Sequence, residues 1–441
     1  MGEEPQTPVA SAGRFLLSSL LRLLLPDELG PAFRWIWSSS TIGNLGDGVL
    51  LAAGPLLVAS ITPEPFAVAM AFFAQRIPWF LFGLFAGAVV DRVDRKTLVV
   101  AVDVLRAVVL ALLATSIALD AGGLFVIYAA MFLLGSAETI ADNAFSALVA
   151  TGVPKQGLGQ ANSRLMGGVI VTNQLTGPPL GAFIFGIGTA YPFGFNAICF
   201  AVGAALISRA RLDRYTAPAA ERRAVRTDVM EGLRWLWGNA PVRTLAIMIA
   251  AFNITFGAAF SIWVLYSYER LGLDEFGFGL LIATGAVGGV VGSAAFGWLE
   301  QRFTYTTLLR VGLVLETFTH LGLALTTSPP VAGAIMFVFG AHAVVWGTTA
   351  TTVRQRVVPA FLLGRVTSVY LISVFGTLAL GGLLGGAIGQ QWGVTGPFWF
   401  AFVGSSVILM MLWRSIAHVG HSADEAEEVS DTAAAAAFPR P

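Results

Sequence analysis

The stretch "GLFAGAVVDRVDRKTL" (residues 83–98) decides how this chain is read. Only 12% of the 441 residues are Asp, Glu, Lys or Arg, yet five of the six from Asp91 to Lys96 are charged. Long apolar runs lie on both sides. A soluble chain of ordinary composition carries about 25% charged residues. Here 56% of residues are hydrophobic and there are 50 glycines, with a mean hydropathy of +0.75. Apolar runs of about 20 residues are long enough to cross a bilayer as helices, and small residues let such helices approach closely. The chain reads as an all-α, polytopic membrane protein, and the charged stretch is a turn between two spans.

Working outward from that turn, the apolar runs and their breaks give twelve spans. They fall near residues 35–60, 65–90, 97–119, 122–147, 163–187, 190–209, 242–267, 274–299, 305–326, 330–353, 366–389 and 395–416. Turn chemistry separates them at "TPEP" (62–65), "DAGG" (120–123), "SPP" (328–330) and "QQWG" (390–393). Connections after even-numbered spans carry Arg92, Arg95, Lys96, Lys155, Arg211, Arg302, Arg354 and Arg356, among others. Those after odd-numbered spans carry essentially Arg270 alone. The positive-inside rule then puts the charged turn and both termini in the cytoplasm, with the chain in the cytoplasmic membrane.

The sequence also repeats. "FLLGSA" (132–137) returns as "FVFGAH" (337–342), and "VPKQGLGQANS" (153–163) as "VPAFLLGRVTS" (358–368). "GPPLGA" (177–182) returns as "GGLLGG" (381–386), and Gly87 and Arg92 match Gly297 and Arg302. Near-constant spacing at four places implies two related six-helix halves. The expected organisation is a segment 1–34 ahead of the spans, a first bundle 35–209, a linker 210–241, a second bundle 242–416 and a disordered acidic, Ala-rich tail 417–441. Residues 15–25 read as an interfacial helix rather than a signal peptide, because Arg22 interrupts the run and no clear small-x-small site follows. The linker stretch 228–245 reads as an amphipathic helix on the membrane surface, with Val229, Leu233, Leu236 and Trp237 on one side.

Two like-oriented halves describe a transporter that rocks about a midplane site. The chain resembles the major facilitator superfamily over nearly its whole length. "GAVVDRVDRK" (87–96) is similar to the family's G-x-x-x-D-R-x-G-R-K motif, with Asp94 in place of Gly. "GPPLGA" resembles the G-P-x-x-G-G motif of the superfamily's antiporters, with Ala182 in place of the last Gly. The nearest likeness is to bacterial effluxers that include siderophore and macrolide exporters. The resemblance implies a gating latch formed by Gly87, Asp91, Arg92, Arg95, Lys96 and Asp142. In it, Asp91 faces the start of span 11 (Gly364–Ser368) and the arginines pair with Asp142. The alternative is a topology signal only. In the antiporter-like motif, Pro178 and Pro179 remove amide donors and kink span 5, while Gly177 and Gly181 allow close packing.

Ionisable residues inside spans cost about 2.5–3.5 kcal/mol each on insertion scales, so each is a functional candidate. The first half holds Asp47, Arg76, Asp103, Arg106, Glu138 and Asp142, and the second Glu316, His320 and His342. At 1.5 Å per residue, Asp47 and Arg76 both fall near the midplane. One reading makes Asp47–Arg76 and Arg106–Glu138 neutral pairs that pin helices, with anion binding as the alternative role for Arg76. The other makes Asp47 or Glu138 a proton carrier as the cavity changes face. The resemblance implies that spans 1 and 4 line the central cavity and that span 3 is peripheral. Asn44 and its repeat mate Asn253 either bond cargo or join helices. His342 and Trp346, one turn apart on span 10, form an aromatic wall for cargo or pack as core. Glu316 and His320 read as a structural pair.

One cysteine, Cys199, four histidines and zero net charge point away from disulfides, a metal site and nucleic acid. No nucleotide loop or nucleophile–base constellation is present, so neither an enzyme nor a cofactor is expected. The function that follows is a proton-coupled antiporter, working as a monomer, that exports a small hydrophobic or amphiphilic compound. The alternatives are a solute–proton symporter for uptake and a non-transporting membrane scaffold or sensor.

Overall fold

The computed structural model describes residues 27–90, 92–212, 225–359 and 362–437. Asp91, the segment 15–25 and residues 213–224 of the linker therefore lie outside the described residues. Among the described residues, eleven single helices are long and apolar enough to cross a membrane. Spans 1–4 are Phe33–Ile61, Pro65–Val90, Arg95–Ala118 and Leu124–Gly152. Span 6 is Tyr191–Arg209, and span 7 is Ala240–Phe260 continued by the short helix Trp263–Glu269. Spans 8–12 are Glu275–Arg302, Tyr305–Leu325, Pro329–Val357, Leu363–Trp392 and Gly396–Ala437.

Span 5 is the exception to a simple count of twelve. It consists of three contiguous pieces, Leu158–Val169, a π-helical stretch Ile170–Thr176 and Gly177–Ile187. Pro178 and Pro179 have no N–H to return to the carbonyls of Gln174 and Leu175, so the regular ladder loosens just ahead of them. No single piece is long enough to span, and only the composite run is.

The helix packing repeats between halves. Span 1 packs on 5 and 6, 2 on 4, and 3 on 4 and 6. Correspondingly, span 7 packs on 11 and 12, 8 on 10, and 9 on 10 and 12. The halves meet along two matching seams, span 2 on span 11 and span 5 on span 8. Glycines permit these seams. Gly386 and Gly389 lie against Pro65, Phe66 and Ala69, and Gly279 lies on Pro178, Pro179 and Ala182. At Gly376 the ring of Phe80 occupies the place of a side chain, and next to it Trp79 stacks on Phe375 with centroids 4.5 Å apart.

One face of the bundle carries the basic connections. There Arg95 donates to the Ala147 carbonyl and Lys96 to that of Ala210, while Asp94 accepts from the Thr97 amide and caps span 3. At the opposite face, Arg270 donates to the carbonyls of Ala324, Leu325 and Thr326. This cation thereby closes the negative end of span 9.

Two peripheral expectations change. The linker helix Val225–Gly238 does not lay all its apolar side on the membrane. It packs on spans 11 and 7 and touches span 2, with Leu236 buried among Val242, Val366, Val369 and Tyr370, while Leu233 and Trp237 face outward. Gly232 rests on the Arg365 backbone, and Arg365 bonds Glu231 at 2.7 Å. Span 12 continues as helix to Ala437, into the stretch expected to be unstructured, because its Ala-rich end favours helix.

Candidate functional site

Two cavities lie on successive turns of span 1. The first, about 650 Å³, sits inside the N-terminal half towards the basic face and is lined from spans 1, 3, 4, 5 and 6. Its polar wall comprises Ser40, Asn44, Asp47, Asp103, Arg106 and Asp142. Arg106 donates to Asp47 at 2.8 Å, and its guanidinium lies 4.0 Å from the Phe200 ring centroid. Asp103 is buried, Asp47 partly so, and Asp142 is exposed to the cavity. Asp103, Glu138 and Asp142 all lie within electrostatic reach of Arg106. One guanidinium thus faces four carboxylates.

This arrangement departs from the pairs read from the sequence. Asp47 takes Arg106, not Arg76, so span 3 lines the polar cavity. The choice follows from helix facing. Asp103 and Arg106, three residues apart, share the face of span 3 turned to the cavity. Asn44 lines the same cavity but spends its amide on the Ser40 carbonyl, 2.9 Å away on its own helix.

The second cavity, about 260 Å³, lies between the halves towards the opposite face. Spans 1, 2 and 4 supply one wall, including Leu51, Phe72, Gln75, Arg76 and Met131. Spans 7, 8 and 10 supply the other, including Phe256, Phe260, Trp263, Phe278 and Phe339. Phe256, Phe260 and Phe339 form a stacked seam with centroids 4.3–5.6 Å apart. The i,i+4 spacing of Phe256 and Phe260 was visible in the sequence, but nothing there set it apart from ordinary core packing. Asp47 and Leu51 are one turn apart, so the two cavities follow one another along the same side of span 1.

Other candidates sit elsewhere. Trp346 is buried against Gly312 in the core of the C-terminal half, and His342 packs edge-on to Phe339 at 5.1 Å. Neither lines the two cavities. His320 and His342 have no hydrogen-bond partner at either ring nitrogen among the described residues, so Glu316 and His320 do not form the expected pair. Asn253 likewise keeps its amide nitrogen unpartnered. Gly177 and Gly181 meet the backbone of Gly48 and Val49, and the adjoining prolines touch span 8, so "GPPLGA" stands at the junction of spans 1, 5 and 8. Among the described residues no cluster of His, Cys, Asp and Glu could hold a metal ion.

A duplicated helical membrane bundle with a polar cavity and an inter-half cavity is the architecture of a transporter of the major facilitator superfamily. The chain belongs to one of its families, the transmembrane secretion effectors, whose profile matches residues 29–441. It is 24% identical to the multidrug efflux pump Tap of Mycolicibacterium fortuitum, over 84% of this chain and 91% of that one. It is also 24% identical to the putative bacilysin exporter BacE of Bacillus amyloliquefaciens, over 81% and 88%. A crystal structure of the nucleoside transporter NupG has the same fold, with a TM-score of 0.73 at 10% identity, covering 87% of this chain and 99% of that one. The protein is therefore a multi-pass membrane transporter and not an enzyme.

Proposed function

We propose that the protein exports a small hydrophobic or amphiphilic compound across the cytoplasmic membrane in exchange for protons, with its basic face and both termini in the cytoplasm. The observation that carries this reading is the Asp47–Arg106 pair in a cavity wall that also holds Asp103 and Asp142, with Glu138 within electrostatic reach, open towards the basic face and one turn from the inter-half cavity. A single guanidinium neutralises one carboxylate, and the remaining acids are placed to exchange protons with the side on which the cavity opens. Rearranging the two seams, span 2 on 11 and span 5 on 8, would carry the inter-half cavity from one face to the other. Protonation of Asp47 would release Arg106 to the neighbouring acids, a discrete change that the seams can follow. One proton moving across about 100 mV supplies about 2.3 kcal/mol.

The likeness to a multidrug efflux pump and to a putative bacilysin exporter supports the outward direction. Proton release in respiring inverted vesicles tests the proposal, with a panel of lipophilic cations, macrolides and siderophores added as cargo. Cargo-triggered proton efflux that is absent in Asp47→Asn supports antiport through this residue. Cargo accumulation in the uptake direction would replace the proposal with symport.

A further inference from the structure

Among the described residues, Arg76 is the single ionisable group in the lining of the inter-half cavity. It makes no hydrogen bond or ion pair among the described residues, its Nε is buried without a partner, and its nearest charge-stabilising neighbour is the Phe72 ring at 5.9 Å. A cation held within a membrane span without a counter-charge is expensive. None of the four carboxylates of this half lines the cavity of Arg76: Asp47 is taken by Arg106, Asp103 and Asp142 line the other cavity, and Glu138 lies within electrostatic reach of Arg106. Around Arg76 the wall is aromatic, with Phe72 on its own helix and Phe256, Phe260 and Phe339 opposite.

From this we infer that the cargo is an amphiphilic anion. Its carboxylate, sulfonate or phosphate sits on the Arg76 guanidinium, and its flat apolar body lies against the phenylalanine seam. The planar fork of a guanidinium matches such oxyanions by two parallel hydrogen bonds, so the missing counter-charge arrives with the ligand. Arg76 stands on span 2 and the seam on spans 7 and 10, so a bound anion bridges the two halves. The inference rests on reading the inter-half cavity as the cargo seat. It also has the electrical sense of export, since an interior-negative potential drives anions outward.

The test is equilibrium binding to the purified full-length protein in detergent, where no gradient is needed. The probes are three tritiated molecules of one shape: 2-naphthoate, 2-naphthylmethanol and 2-naphthylmethylammonium. The expected result is that 2-naphthoate binds at least tenfold tighter than the alcohol and that the ammonium binds weakest. Arg76→Gln should abolish the preference for the anion while leaving alcohol binding within twofold, which shows the cavity intact. Arg76→Lys should keep part of the preference. Equal binding of anion and alcohol, a preference for the ammonium, or an anion preference that survives Arg76→Gln overturns the inference, as does absence of binding by all three. Failure of proton exchange in vesicles alongside a normal anion preference would instead remove the antiport reading and leave this one standing.

Discussion

Asp47 and Arg106, fifty-nine residues apart, meet at 2.8 Å inside the N-terminal half, where Arg106 is 5% exposed. The pair is asymmetric in its alternatives. Losing Asp47 leaves Arg106 three other carboxylates within electrostatic reach, whereas losing Arg106 leaves four acids without a cation. Removing one member of a buried pair costs about 3–5 kcal/mol when nothing replaces it. Arg106→Gln should therefore lower the thermal unfolding midpoint in detergent clearly more than Asp47→Asn does, with Arg106→Lys between them. An equal or reversed order would mean that the other acids do not share Arg106.

The same asymmetry separates exchange from drive. In proteoliposomes, Asp47→Asn should exchange cargo for cargo at a rate within about twofold of wild type, because the cargo cavity is untouched. It should fail to accumulate cargo against a gradient when a pH difference is imposed, a deficit of tenfold or more, corresponding to at least about 1.4 kcal/mol of lost coupling. If exchange and accumulation fall together, Asp47 acts in cargo binding or in the rocking itself.

Close packing at the span 1–span 5 junction gives a steric prediction. A Cβ at Gly181 would run into the Val49 backbone and one at Gly177 into Gly48, whereas Gly186 on the same helix has open space around it. Gly181→Ala should destabilise by about 1–3 kcal/mol, the usual range for overpacking. Gly186→Ala should stay within about 0.5 kcal/mol. Thermal midpoints of the two single variants decide it. If they match, the junction is looser than its geometry and does not serve as a fixed pivot.

The architecture was legible because its signals are one-dimensional. Apolar runs, turn residues and the near-constant repeat are properties of chain position, and the paired seams reproduce that repeat in space. The site was only half legible. Which residues are ionisable within spans was clear, and Asp47 and Arg76 do line cavities. Their partners were not clear, since pairing depends on helix rotation. A rotation that turns Arg106 to Asp47 also leaves Arg76 in the other cavity, and depth along the helix alone cannot tell the two apart. The π-helical stretch in span 5 was similarly hidden. Two adjacent prolines announce a kink, but not whether the ladder breaks or widens to accommodate it.

Access to the larger cavity tests both its opening and the orientation of the chain. Ser146 of span 4 lines that cavity and is exposed, whereas Phe256 lines the inter-half cavity and is only partly exposed. The single native cysteine, Cys199, is buried, so the wild-type protein should show little background with a membrane-impermeant maleimide. Ser146→Cys should label in inverted vesicles, where the cytoplasmic face is outward, and at least tenfold more slowly in right-side-out vesicles. Phe256→Cys should label slowly in both, being shielded by the seams on one side and the polar cavity's walls on the other. Preferential labelling of Ser146→Cys in right-side-out vesicles would reverse the assignment of the basic face to the cytoplasm, and with it the direction in which the carboxylate wall takes up protons.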